Sequence, residues 1–136
     1  MQDKSLKDRA VSIKGRSYVL VSDRILYFNE TYKEGSIITE LLSTPDAKQV
    51  VMKATVSPDG VRKYVGHSQA VVGVGMVNKT AALENAETSA VGRALAMMGI
   101  GVIDSVASVD EMRKATNDAY PDAPEEEETE LPVVRR

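Results

Sequence analysis

Apolar residues along this chain fall into short patterned stretches separated by charged or turn-forming residues. Tyr18 to Val21 is a run of β-formers, read as a buried strand or entry segment. Ser22 is placed to cap a helix that starts at Asp23, with Ile25, Leu26 and Phe28 on its apolar face and Lys33-Glu34-Gly35 at its end. Three strand-like runs follow. Ser36 to Ser43 carries Ile37, Ile38, Leu41 and Leu42 and is broken by Thr44-Pro45-Asp46. Lys48 to Val56 puts Val50, Met52, Ala54 and Val56 on one face, the period of two expected of a strand with one wet side. Ser57-Pro58-Asp59-Gly60 turns the chain, since proline presets φ and glycine accepts the last turn position, and Val61 to Val72 reads as the return strand. The three runs predict an antiparallel meander.

Thr80 to Met98 is the longest helical pattern. Leu83, Val91, Leu95 and Met98 mark one apolar side, while Ala82, Ala86, Ala90 and Ala94 form a stripe that lets another backbone approach closely. Arg93 falls within that stripe on a helical wheel, a long cation able to lie in a groove and present its guanidinium to a partner. Gly99-Ile100-Gly101 ends the helix, and the capping box Ser108-Val109-Asp110-Glu111 opens a short one over Val109 to Thr116. The predicted fold class is α+β: a three-stranded antiparallel β-meander packed against a long α-helix, with flanking short helices and a disordered acidic C-terminal tail. The expected organisation is a flexible N-terminal arm over 1–16, one folded domain over 17–116 and the tail over 117–136.

Composition narrows the chemistry. The 136 residues include no Cys and a single His, which removes disulfides and thiolate metal sites and leaves His67 as the one imidazole available to any triad. No apolar run approaches the roughly 20 residues of a membrane span, and Met1 to Arg9 is too polar for a signal peptide, so a soluble cytoplasmic protein is expected. Neither Gly73-Val74-Gly75 nor Gly99-Ile100-Gly101 completes a dinucleotide fingerprint, and no Walker lysine follows either. Glu84 and Glu87 share a helix face, but acids near a helix start are favoured by the dipole whatever the function. A small enzyme using that pair is a minor reading; the expectation is a protein that is not an enzyme and takes no cofactor or metal.

The formal net charge of −3 hides an asymmetry: residues 1–116 carry 15 Lys+Arg against 13 Asp+Glu, and residues 117–136 carry two arginines against seven acids. A mildly basic body therefore bears an acidic tail. Within the body, Arg24, Lys48, Lys53, Arg62, Lys63, Lys79 and Arg93 are scattered over the meander and its flanking helices, with Tyr64 among them. Converging, they would track a phosphate backbone; dispersed, they are ordinary solvated surface. With aromatics at 4%, charge rather than base stacking would supply the affinity.

The stretch from Ala82 to Gly101, with Arg93-Ala94-Leu95 at its centre and Gly99 at its close, resembles the signature helix of the phage single-strand annealing proteins of the Erf and Sak type, relatives of the eukaryotic repair protein Rad-fifty-two. Tyr18 to Leu26 is similar to that family's entry segment, a tyrosine-led strand passing through an arginine into a helix. The resemblance implies an ATP-independent protein of phage homologous recombination in a bacterial host cell. It implies assembly as a homo-oligomeric ring or helical filament, and a phage exonuclease or host single-strand binding protein as partner. It also implies single-stranded DNA held in a basic groove, with Arg24 and Arg93 as the best-matched contacts; Lys53, Arg62, Lys63 and Lys79, from the scattered cations, are the further DNA-binding candidates. A plain single-stranded DNA-binding protein is the alternative. The acidic tail would compete for the groove or aid solubility, or else recruit a partner through Leu131 to Val134.

Overall fold

The computed structural model describes residues 4–73 and 79–115. The elements run in the order α1 (Lys4–Asp8), β1 (Val11–Ile13), β2 (Arg16–Tyr18), α2 (Val21–Thr31), β3 (Ser36–Leu41), β4 (Gln49–Ser57), β5 (Tyr64–Val71), α3 (Lys79–Met97) and α4 (Val109–Ala115). β3, β4 and β5 form an antiparallel sheet in that spatial order, and β1 pairs with β2 as a separate hairpin. The α+β class and the meander under a long helix are as the pattern predicts. The expected tail lies outside the described residues. Among the described residues no helix is long and apolar enough to cross a membrane.

One face of the sheet packs on α3. Val50, Met52, Ala54 and Val56 of β4 are buried, as are Ala82, Ala86, Ala90 and Ala94 along α3. The alanine stripe brings the two backbones so close that a Cβ at Gly66 in β5 would sit 2.5 Å from both the Ala90 carbonyl oxygen and the Ala94 nitrogen. The Ser68 hydroxyl donates to the Ala86 carbonyl across the same contact. Glycine and serine in β5 thus match alanines in α3, and strand and helix pack with little side chain between them. Phe28 from α2, Leu95 from α3 and Val19 fill the remaining core.

The ends of elements follow local chemistry. Gly99 takes a φ of 97° and its N–H donates to the Ala96 carbonyl, while Ile100 N–H reaches back to the Leu95 carbonyl. That pair of bonds is a Schellman ending, and buried Ile100 and Leu95 supply its apolar contact. The capping box forms as predicted: Glu111 N–H donates to Ser108 Oγ and Ser108 N–H donates to Glu111 Oε1. In the β4–β5 turn, Gly60 N–H donates to Ser57 Oγ, and the Asp59 carboxylate accepts the N–H groups of Val61 and Arg62. These bonds to Arg62 first and Val61 second hold the Asp59 carboxyl below its ordinary range.

Three expectations are corrected. Residues 4–16 are not a loose arm: they form α1, β1 and the start of β2, with Leu6 buried in the core. Tyr18 ends a strand that begins at Arg16 rather than opening one. α2 begins at Val21, before the anticipated Ser22 cap; Leu20 takes the cap position without a side-chain bond. Its first free N–H, that of Val21, donates to the Asp110 carboxylate from α4 at 2.9 Å, a cap supplied from 89 residues away.

Candidate functional site

Arg24 is one of the two best-matched residues of the expected groove, and it is fully buried. Two turns of amphipathic pattern put it on the inward face of α2, where its guanidinium reaches four backbone carbonyls. Nη1 donates to Gly92 at 2.8 Å and to Val106 at 3.3 Å, and Nη2 donates to Gly101 at 3.3 Å and to Ala107 at 3.2 Å. Burial pulls its pKa down, and Glu111 followed by Asp110 pushes it back up. Nε has no hydrogen-bond partner among the described residues. Arg24 is therefore a strut joining α2 to the end of α3 and the segment before α4, and it offers no charge to a ligand.

The other candidates do not converge. Arg93 is half-exposed, and its guanidinium lies 3.5 Å from Glu111 Oε2, so it bridges α3 to α4 instead of rising alone from the alanine stripe. Lys53 sits on the outer face of β4, the side away from α3, 4.0 Å from Glu40 Oε1. Glu40, Lys53 and His67 stand in register across the three strands on that face. Arg62 is exposed and pairs with Asp59 at 3.2 Å, and Lys63 beside it is exposed. Lys79 is the first residue of α3; its side chain lies outside the described set.

Two ends of the sheet gather cations instead. Ser36 pairs with Ser57, so the loop carrying Lys33 and the turn carrying Arg62 and Lys63 share one end. At the other end Val72 N–H donates to the Lys48 carbonyl, which places exposed Lys48 beside the end of β5, from which the chain leads on to α3. With ~3.3 Å per strand residue, the nine residues of β4 separate the two ends by about 30 Å. The sequence marks Lys48, Lys63 and Lys79 as cations but not their arrangement, and Lys33 reads in it only as part of a helix stop.

A cleft of about 540 Å³ lies between α2 and α3 over β3, walled by Val21, Ile25, Ile37 and Val91. Its polar groups include Glu87, which accepts a 2.7 Å bond from the Thr39 hydroxyl, and Asp110, which caps α2. Two carboxylates amid apolar walls give this cleft no group that attracts a phosphate. Glu87 is thereby tied into the α3–β3 contact. Among the described residues no three His, Asp or Glu side chains are grouped to hold a metal.

Residues 25–98 match the family model described as Slr1353 N-terminal dsRNA-binding domain-like. The matched span is just over half the chain and runs from the second turn of α2 through the whole meander to the end of α3. No curated protein and no solved structure matches. This family is distinct from the Erf and Sak type annealing proteins, so the resemblance drawn from the long helix is corrected. A small-residue helix closed by glycine is what close packing of α3 on this sheet demands, so the pattern does not by itself identify a family. The ring, the filament, the exonuclease partner and the phage setting rested on that resemblance and lose its support.

Proposed function

The chain belongs to the Slr1353 N-terminal dsRNA-binding domain-like family, and from that premise we propose that it binds nucleic acid as a module for double-stranded RNA. The observation that carries the reading is that the matched span covers most of α2, the whole meander and all of α3, an α–β–β–β–α arrangement. The charge distribution supports it. A-form RNA is recognised by its shape and through phosphate and 2′-hydroxyl contacts, because its deep major groove is closed to side chains. Cations at two ends of a rigid sheet, Lys48 at one, where the chain leads on to the start of α3 at Lys79, and Lys33 and Lys63 at the other, suit a stiff duplex that can meet both at once. A flexible single strand would instead favour one continuous basic groove with stacking aromatics. The low aromatic content and the dispersed cations weigh against that arrangement.

Lys48 and Lys79 provide the test. Replacing both with Glu is expected to weaken duplex RNA binding by at least tenfold at low salt, and to lower the slope of log affinity against log salt by about two, one per lost phosphate contact. Fluorescence anisotropy with a 5′-labelled duplex measures both quantities. An unchanged slope would remove this end of the sheet from the interface.

A further inference from the structure

The matched region is electrically neutral. Residues 25–98 hold seven Lys+Arg and seven Asp+Glu, whereas residues 1–24 hold six Lys+Arg and three Asp+Glu. Affinity for a phosphate backbone comes mostly from cations that displace counterions, and a neutral unit supplies little of it. The excess lies in the segment that precedes the family unit. Of its cations, Arg24 is buried and Arg9 is engaged by Asp23 at 3.1 Å. Lys14 and Arg16 are exposed, and neither is paired with a carboxylate among the described residues.

Both residues stand at the tip of the β1–β2 hairpin. Ile13 pairs with Arg16, leaving Lys14 and Gly15 as a two-residue turn with φ of 52° and 83°. Two positive φ values are the mark of a type I′ turn, which asparagine or aspartate followed by glycine fills most readily. A lysine at the first position is conformationally unfavourable and places a cation at the apex. The hairpin is also held firmly from below. Ser17 N–H donates to the Asp104 carboxylate at 2.8 Å, Tyr18 and Val19 are buried, and Val109 N–H donates to the Val19 carbonyl. A tip fixed on the body before binding loses little freedom on contact.

We propose that the β1–β2 hairpin is a second backbone-binding element, whose Lys14 and Arg16 contact phosphates of the same RNA duplex outside the family unit. The proposal rests on the duplex RNA reading and adds a surface to it. It is tested with the full chain and a labelled 20-base-pair RNA duplex, comparing wild type, Lys14→Asn, and Lys14→Gln with Arg16→Gln. The double variant is expected to bind about tenfold more weakly at 50 mM salt, with a salt slope lower by about two. Lys14→Asn removes one charge while improving the turn, so it should bind more weakly with a melting temperature equal to or above wild type, which separates loss of charge from loss of fold. Wild-type binding with unchanged affinity and slope in both variants overturns the hairpin proposal and leaves the duplex reading standing. A wild-type chain that binds no duplex RNA removes the reading, and the hairpin proposal with it.

Discussion

Arg24 shows how a single cation can look functional in sequence and be structural in space. A lone arginine on a short amphipathic helix reads as surface charge, because nothing within a few residues can accept its five N–H groups. Its acceptors come from Gly92, Gly101, Val106 and Ala107, about 70 residues or more away, and no local pattern announces them. Arg24→Met strips the donors from four carbonyls and leaves Asp110 and Glu111 without their buried counter-charge. It is expected to cost about 3–5 kcal/mol, which lowers the melting temperature by more than about 10 °C in thermal denaturation. Arg24→Lys should recover only part of this, since an ammonium lacks the planar fork that spans two pairs of carbonyls. A melting temperature unchanged in Arg24→Met contradicts the strut.

Asp59 makes a residue-scale statement about pH. Its carboxyl is held below its ordinary value by the Arg62 and Val61 N–H groups, so the folded state favours the ionised form. The stability this adds to the turn is present above the carboxyl's ordinary pKa and disappears as pH falls through the lowered one. Side-chain carboxyl shifts followed by NMR should give Asp59 a midpoint below the ordinary aspartate value of 3.8. A midpoint at or above that value contradicts the turn geometry.

Among elements, those built from local signals were legible and those held by distant contacts were not. The alternation along β4, the Pro-Asp-Gly turn, the alanine stripe, the glycine ending of α3 and the capping box of α4 all appear where the pattern places them. The start of α2 was misplaced because its cap is Asp110, a carboxylate from another helix. The β1–β2 hairpin was missed although Val11-Ser12-Ile13 and Arg16-Ser17-Tyr18 flank a glycine-containing pair, since each arm is only three residues long. The close contact of β5 with α3 is tested by adding a methyl group at Gly66. Gly66→Ala forces a methyl to within 2.5 Å of α3 backbone atoms, which cannot yield as a side-chain tip would. Moving the helix off the sheet is expected to cost about 1–3 kcal/mol in urea denaturation, and a variant as stable as wild type would mean that strand and helix stand further apart.

For the molecule as a whole, charge is layered along the sequence: positive before residue 25, neutral through the family unit, and negative beyond residue 116. The candidate site was legible only in its residue types, because cations that look like one groove in sequence are divided between the sheet ends, an outer face and ion pairs. The acidic segment is expected to compete with the polyanion for the basic hairpin and the sheet ends. Deleting residues 117–136 should therefore tighten duplex RNA binding by roughly threefold to tenfold at low ionic strength, with the gain fading as salt rises.

Selection of a duplex by this unit is read most directly by one titration. The full chain is titrated at 50 mM salt against a 20-base-pair RNA duplex and against single-stranded RNA and DNA of the same length. The expected result is at least about tenfold tighter binding to the duplex, with a salt slope that reports several phosphate contacts. Single strands bound as tightly as the duplex, or more tightly, would contradict it.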